Sequence, residues 1–249
     1  MKITLVSGLL PCLDRNRTNS EWIDFVRTLS SSGLPLVLYS DPALIEKAEP
    51  LHKEAKGGLT IRSIDEQALR TGLWLHSRLQ DLVDANLDAG PDQSLENIAR
   101  LRALGWLHDE SIFNPYRSQA FVWVDPLLSQ EVQPTYIEEL GALNLLESLM
   151  DPMLLLAKCD QENFSSFSDA IFGGRAAVLS RVNSAYWQAY ATSIDRGEIP
   201  SFDSLMKILW KHLPGEFQRY NLQSNGLAGA FFAALVTGSV QIESLKLCA

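Results

Sequence analysis

Two apolar runs near the start of the chain, joined by an amphipathic segment, constrain the fold more than any other feature. Residues 2–10 (KITLVSGLL) and 34–41 (LPLVLYSD) are rich in leucine and β-branched residues and have strand length. The segment between them predicts a helix that Asn19 or Ser20 caps and Gly33 ends, with an apolar face of Trp22, Phe25, Val26 and Leu29. Strand, helix and strand with a short return form a βαβ unit, whose strands are parallel. Continuous apolarity indicates that both faces of the sheet are covered.

The rest of the chain continues this alternation. We predict strands at 59–64, 118–125 and 152–158, a surface loop at 160–169 (DQENFSSFSD), and helices at 66–87, at 95–110 after a Ser94 cap, near 181–196, at 201–213 and at 226–237. No linker or repeat divides the chain. The sequence therefore predicts one α/β domain over residues 1–249, with a mostly parallel central sheet flanked by helices and a mainly helical part from about residue 205.

Composition excludes some classes of function. The 249 residues carry a formal net charge of -9, and no basic run indicates a nucleic-acid groove or a polybasic membrane contact. No stretch reaches the roughly 18 apolar residues of a transmembrane helix. The three isolated cysteines favour reduced thiols and a cytoplasmic location.

Polar residues stand where three predicted strands end. Ser7, Tyr39 with Asp41, and Asp125 occupy these positions, and ligands of open α/β sheets bind outside the carboxyl ends of the strands. Turns that follow strands also favour such residues. Asp125 is the strongest candidate, because it follows the buried-strand pattern of residues 121–124 and a carboxylate at that depth needs a partner.

Three further features could take part in a site. Gly173 and Gly174 permit positive φ and a close approach of a ligand to the backbone, although a tight turn is the favoured explanation of a Gly-Gly pair. Arg100 and Arg102 could clamp a diphosphate beside Asp125, or lie on a solvated helix face. The acid at position 203 falls in the first turn of a helix, where it complements the helix dipole. The usual motifs of hydrolases, kinases and dehydrogenases are absent from the sequence.

Taken in order, these segments resemble one family. NPYRSQAFVWVDPLL (114–128) is similar to the Asn-Pro-Phe and Phe-x-Trp-Ile-Asp-Ala-Gly segment of the bacterial HtrL/YibB (WlaTC/HtrL) proteins, a glycosyltransferase family. ITLVSGLL with Arg17, then LPLVLYSD, IFGGRAAVL, YWQAY and the acid before LMKIL match it as well. The resemblance spans most of residues 2–220.

The resemblance implies a GT-A-like, Rossmann-related fold and a nucleotide-sugar donor site, with a UDP-sugar as the favoured donor and an unknown acceptor. The implied donor-binding residues are Ser7, Arg17, Tyr39, Asp41, Arg102, Gly173 and Gly174. Asp125 would lie at the diphosphate and a divalent cation, Mn²⁺ or Mg²⁺. Asp203 would be a catalytic base or a hydrogen-bond partner of the donor sugar.

The sequence departs from the family at the metal site that the resemblance implies. Asp125 is followed by Pro126 and Leu127 instead of Ala-Gly, and no second acid completes an Asp-x-Asp pair. One carboxylate is the minimum for a hard cation, so metal dependence stays open. The leading hypothesis is a glycosyltransferase; the alternatives are a non-catalytic GT-A-like binding or scaffold protein and, less favoured, a nucleotidyltransferase.

Overall fold

The computed structural model describes residues 3–10, 18–65, 68–69, 81, 91–126, 153–160 and 163–222. The strands in these ranges are β1 (Ile3–Leu9), β2 (Leu36–Ser40), β3 (Leu59–Ser63), β4 (Ala120–Val124), β5 (Met153–Asp160), β6 (Asn163–Arg175) and β7 (Phe217–Leu222). The helices are α1 (Asn19–Ser31), α2 (Pro42–Ala48), α3 (Pro91–Phe113), α4 (Ala176–Asp195) and α5 (Phe202–His212), with short 3-10 helices at Glu49–Lys53 and Pro214–Glu216.

All of these strands form one sheet, in the order β3-β2-β1-β4-β6-β5-β7. β1 is parallel to β2 and β4, β2 to β3, and β5 to β7, whereas β6 is antiparallel to β4 and β5. Every residue of β1, β2 and β4 is buried, as expected for strands covered on both faces. The predicted α/β fold, a mostly parallel sheet flanked by helices, is confirmed.

The first βαβ unit forms as the sequence predicts, except for its cap. Thr18 is the N-cap of α1: its hydroxyl accepts from the Glu21 amide, and the Glu21 carboxylate accepts from the Thr18 amide. The N-cap is thus one residue before Asn19 and two before Ser20, the predicted caps, which are the first two residues of the helix. Gly33 follows the helix with a φ of +76°, a left-handed conformation that favours glycine.

The helix α3 is longer than predicted. It begins at Pro91, so Ser94 lies inside the helix and the prediction of Ser94 as its cap is wrong. Proline suits a first turn, because the amide it lacks has no partner within the helix. At the other end Asn114 adopts a left-handed φ of 42°. Its side chain accepts from the Ser118 amide at 2.6 Å and donates to the Ser118 carbonyl at 2.8 Å, which closes the turn into β4.

The strand predicted at 152–158 is confirmed as β5, but the loop predicted at 160–169 is wrong. Asp160 ends β5, residues 163–169 form the first half of β6, and Asp160 pairs with Asn163. The backbone ladder with β5 holds a polar sequence in an extended form. The register between β5 and β6 is irregular in the middle of the pair: Leu155 pairs with Phe172, but the next residue, Leu156, pairs with Ser168.

The C-terminal part contains a strand that the sequence pattern did not reveal. The helix predicted at 201–213 is confirmed as α5, and β7 follows it. The helix predicted at 226–237 and almost all of that at 66–87 lie outside the described residues, so the domain boundaries 1–249 stay a prediction.

Aromatic side chains connect the layers on one face of the sheet. The Trp106 ring of α3 stacks on Tyr39 with centroids 4.8 Å apart and contacts Trp123 of β4 at 5.9 Å. Trp123 in turn contacts Phe172 of β6, which packs on Phe202 of α5 at 4.8 Å. α3 and α5 therefore cover the same face of the sheet, the face to which Trp123 points.

No helix in the described ranges is long and apolar enough to cross a membrane.

Candidate functional site

Asp125 lies at the carboxyl end of β4, a strand in the middle of the sheet. Side chains alternate along a strand, so Asp125 shares the face of Trp123, which α3 covers. The residue is only 3% exposed. Arg100 of α3 donates from Nη1 to its Oδ2 at 3.1 Å, which supplies the partner that a buried carboxylate needs. The predicted placement of a buried acid at this strand end is what the structure shows, whereas its catalytic and metal-binding roles stay predictions.

Ser7 holds the strand from which Asp125 projects. Its side chain is fully buried in β1, and its hydroxyl donates to the Val124 carbonyl at 2.6 Å. Val124 immediately precedes Asp125, so this bond fixes the backbone at the edge of the sheet. The role of Ser7 in donor binding stays a prediction; its hydroxyl is engaged within the sheet.

Tyr39 belongs to a polar cluster beneath α3. Its hydroxyl donates to Oε1 of Glu110 at 3.0 Å, and Arg62 of β3 donates to both oxygens of the same carboxylate, at 2.9 and 3.3 Å. Glu110 is fully buried. Burial raises the pKa of Tyr39 well above its ordinary value, and the nearby Glu110 charge adds to the effect. The structure thus gives Tyr39 a role in the core, and its proposed contact with a nucleotide stays a prediction.

Asp41 caps α2 at the carboxyl end of β2. Its Oδ1 accepts from the Ala43 amide at 2.8 Å, and its own amide donates to the Leu9 carbonyl of β1 at 3.0 Å. It is therefore at the predicted edge of the sheet and has a clear structural role as a helix cap. The donor-binding role is not tested. Arg17, the other predicted residue of this region, lies outside the described residues.

Arg100, two residues before Arg102 on α3, forms an ion pair with Asp125. Burial lowers the pKa of the Arg102 guanidinium, while the nearby Asp109 carboxylate opposes that change. The assignment of Arg102 to a donor diphosphate stays a prediction.

Gly173 and Gly174 lie within β6, where Gly173 pairs with Val122 and Gly174 with Phe121. Neither has positive φ, and both lie inside a strand, so the tight turn that was the simpler explanation of the pair is wrong. Close packing explains the pair: a Cβ at Gly173 would lie 2.3 Å from the Phe121 carbonyl oxygen, and one at Gly174 would lie 2.8 Å from Cγ1 of Val178. Both glycines are buried two or more residues inside the sheet edge, and a contact with sugar or acceptor stays a prediction.

Asp203, in the first turn of α5, connects that helix to β6. Its Oδ1 accepts from the Phe167 amide at 2.7 Å, and its Oδ2 pairs with Lys207 at 2.8 Å. Ile171 pairs with Val124, the last residue of β4. Because β6 runs antiparallel to β4, Phe167 belongs to the part of β6 that extends past the carboxyl end of β4. Asp203 therefore lies beyond the same edge as Asp125.

The beginning of α3 connects the surroundings of these two acids. Arg100 contacts Asp125, and Asn97, about one turn earlier, donates to the Pro200 carbonyl at 3.1 Å. Pro200 precedes α5, which carries Asp203. The first half of α3 thus contacts Asp125 directly and, through Pro200, the segment that leads into the helix of Asp203, whereas Tyr39 contacts Glu110 farther along α3 and the glycine pair is inside the sheet.

Asp125 fits a divalent cation as one ligand. Carboxylate oxygens are hard ligands, and Mg²⁺ is commonly held by one or two carboxylates together with substrate phosphates. Across the described part of the chain, no three His, Cys, Asp or Glu side chains form a group that could hold a metal ion by themselves. A cation at Asp125 would therefore depend on phosphate oxygens of a donor, on water, or on residues outside the described ranges.

Two charged residues of this region do not follow from the pattern of polar residues at strand ends. For Arg100, the spacing of four residues from Glu96 indicates an ion pair along the helix. Glu110 is an acid at helical spacing from the apolar residues Ala103, Trp106 and Leu107, which indicates a buried carboxylate in need of donors.

No family model and no curated protein matches the sequence. Several solved structures are similar in fold. Core-mannan synthase A of Aspergillus fumigatus, in a Mn/GDP form, is 10% identical with a TM-score of 0.49, covering 88% of this chain and 73% of that one. Mouse xyloside xylosyltransferase 1, in an apo form, is 11% identical with a TM-score of 0.45, covering 88% and 84%. The 4-diphosphocytidyl-2C-methyl-D-erythritol synthase of Anaerococcus prevotii is 9% identical with a TM-score of 0.46, covering 95% and 96%.

These likenesses concern the fold, and at TM-scores below 0.5 they assign neither an activity nor a ligand to this chain. The similar structures include sugar transferases, but the resemblance to the HtrL/YibB proteins in particular stays a prediction.

Proposed function

We propose that the protein is a glycosyltransferase that moves a sugar from a nucleoside diphosphate donor, with a UDP-sugar as the first choice, to an acceptor. The observation that carries the proposal is the Asp125 carboxylate, 3% exposed and paired with Arg100 at the carboxyl end of a central parallel strand. Ligands of open α/β sheets bind at this edge. The sequence resemblance around residues 114–128 supports the same assignment.

In this proposal, each acid has its own task. Negative charge develops on the diphosphate as the glycosidic bond breaks, so positive charge placed there lowers the barrier. A divalent cation held by Asp125 would supply that charge. Asp203 would position the donor sugar or accept the proton of the acceptor hydroxyl. Its two oxygens already accept from the Phe167 amide and pair with Lys207, so catalysis would use the remaining lone pairs.

A non-catalytic binding protein of the same fold is the rival function. Two observations favour it: Pro126 follows Asp125 in place of a second acid, and both oxygens of Asp203 have structural contacts. Such a protein would bind its partner through the same edge of the sheet without turning over a donor. A cytoplasmic location, suggested by the isolated cysteines, is part of the proposal for either function.

Donor titration tests the proposed activity. UDP-sugars and GDP-sugars are added with and without Mn²⁺, and thermal shift and donor hydrolysis are followed. We expect at least one donor to raise the melting temperature and to be hydrolysed, and Asp125→Asn and Asp203→Asn to lower turnover by about 100-fold. The amide in Asp203→Asn can still accept from the Phe167 amide, which keeps the contact to β6.

Asp24→Asn is the matched control, because Asp24 is an exposed acid of α1 whose partner is Arg27. It should leave turnover unchanged. Binding of no nucleotide sugar by a folded protein would rule out the proposed function. Binding that survives both site substitutions without any turnover would favour the non-catalytic rival, and release of pyrophosphate from a nucleoside triphosphate would favour a nucleotidyltransferase.

A further inference from the structure

Three charged side chains form a chain of contacts from the surface to the end of β4. Nη1 of Arg100 donates to Oδ2 of Asp125 at 3.1 Å, and Nε and Nη2 of Arg100 contact Oε1 of Glu96 at 3.1 and 3.0 Å. Side-chain exposure falls along this chain, from 41% for Glu96 to 19% for Arg100 and 4% for Asp125. The guanidinium therefore lies between an accessible carboxylate and a buried one.

This arrangement directs Arg100 toward Asp125. Three of its nitrogen atoms contact carboxylates: Nη1 contacts Asp125, and Nε and Nη2 contact Glu96. The planar guanidinium can contact two acids along different edges at the same time, which a lysine ammonium cannot reproduce in the same geometry.

The backbone around Asp125 is fixed as well. The Ser7 hydroxyl of β1 bonds to the carbonyl of Val124, the residue just before Asp125. Ser7 thus fixes the main chain while Arg100 fixes the carboxylate. A buried charged group with both constraints has little freedom to turn, which is the condition for a preorganised site.

We infer that Arg100 is a positioning residue: it holds the Asp125 carboxylate in one orientation at the sheet edge, and Glu96 in turn orients the guanidinium. This inference rests on the proposed function, because a position matters for turnover only if Asp125 takes part in it.

Kinetics of Arg100 variants test the inference, starting from a donor that wild type hydrolyses. Arg100→Gln should lower kcat for donor hydrolysis by about 10- to 100-fold, since small misplacements of a reacting group have effects of that size. The KM for the donor should stay within about threefold, because a residue that acts by positioning Asp125 affects the reaction step more than donor binding. Arg100→Lys keeps the charge but loses one of the two carboxylate contacts, so it should restore part of the lost kcat.

A double-variant cycle separates positioning from a general structural effect. In an Asp125→Asn background, Arg100→Gln should lower kcat no further, because the group that it positions is already altered. Arg27→Gln is the matched control: Arg27 also contacts two acids, Asp24 and Glu54, but on the exposed surface of α1. It should leave kcat and KM unchanged.

The outcomes distinguish the inference from the function that it rests on. If wild type hydrolyses no nucleotide sugar, the function fails and the inference with it. If wild type is active, the inference alone is overturned when Arg100→Gln retains kcat within twofold, or when it raises KM more than it lowers kcat. Should Arg100→Gln fail to fold, Arg100→Lys decides: wild-type kcat in that variant would contradict the two-carboxylate geometry.

Discussion

Tyr190 shows how one atom affects stability. Its side chain is fully buried in α4, its hydroxyl has no hydrogen-bond partner within the described residues, and the Trp187 ring packs edge-on against it at 5.4 Å. Burial raises the pKa of Tyr190 to about 12, since the apolar surroundings disfavour the phenolate. The hydroxyl therefore has a desolvation cost without a compensating contact.

Tyr190→Phe should raise the free energy of unfolding at pH 7 by about 1 kcal/mol, because it removes an unsatisfied buried hydroxyl. The raised pKa also makes a pH prediction. The Tyr190 phenol ionises near pH 10 in the unfolded chain and near pH 12 in the folded protein. Ionisation therefore favours the unfolded chain, and the free energy of unfolding that depends on Tyr190 is constant below pH 10 and falls as the pH rises from 10 to 12. Urea unfolding of both proteins from pH 7 to 12 measures this, and the variant should lose less stability over that interval.

Tyr116→Phe is the contrasting control at pH 7. The Tyr116 hydroxyl is hydrogen-bonded to Thr60 at 2.8 Å, so its removal should destabilise the protein. A Tyr190→Phe protein that is less stable than wild type by as much as the control would contradict the account of an unsatisfied hydroxyl.

Asp125 and its partner show which residues of a site can be predicted from the sequence. Asp125 could be predicted because an apolar strand that ends on an acid is a local pattern. Its partner could not be selected, because Arg100 and Arg102 both lie on the predicted helix. Two residues correspond to a rotation of about 200° around a helix, so the choice depends on how α3 is rotated against β4. That rotation is set by the packing of Trp106 on Tyr39 and Trp123, which is not visible in the sequence.

At the scale of elements, β6 depends on close approach of its backbone to β4. The two glycines, for which a tight turn was the favoured explanation, lie inside this strand. A Gly-Gly pair in a sequence is compatible both with a turn and with a strand that has no room for side chains. Only the neighbouring strand distinguishes these cases. The sequence thus identified the glycines as unusual but not the reason.

Gly173→Ala should destabilise the protein by about 3 kcal/mol, because the new Cβ would lie 2.3 Å from the Phe121 carbonyl oxygen and 2.8 Å from Cα of Val122. Both contacts are with backbone, which cannot move without disturbing the pairing of β4 and β6. Gly215→Ala is the control, since its Cβ would have no heavy atom within 4 Å. Chemical denaturation of the two variants should show a large loss for the first and a change within about 0.5 kcal/mol for the second; equal stabilities would contradict the packing described for β6.

At the scale of the whole molecule, the sheet joins distant parts of the chain. The parallel half, β1 to β3, could be predicted because each strand follows its neighbour through a short helical connection. The other half could not: β4 inserts next to β1, β6 lies between β4 and β5, and β7 adds to β5 from beyond α5. These pairings are non-local and leave no periodic signal, so β7 was missed.

A continuous sheet should make the described part of the chain unfold as one unit. We expect urea unfolding followed by tryptophan fluorescence and by far-UV circular dichroism to give coincident transitions, because tryptophans lie in both halves, at Trp22 in α1 and Trp210 in α5. Gly173→Ala, at the junction between β4 and β6, should shift both curves by the same amount. Two separate transitions, or a shift in only one probe, would show that the halves unfold independently.

The position of β6, which runs antiparallel to β4 and β5, has a consequence for synthesis on the ribosome. Once the chain through Val124 has emerged from the ribosome, β4 can pair with β1 through Val6 and Trp123, but its other side has no partner yet. Ile171 to Arg175, which cover that side, emerge only after the whole intervening segment. During this interval the nascent chain presents an apolar strand edge whose amides and carbonyls can pair with another exposed strand. The strand end that carries Asp125 is therefore completed late.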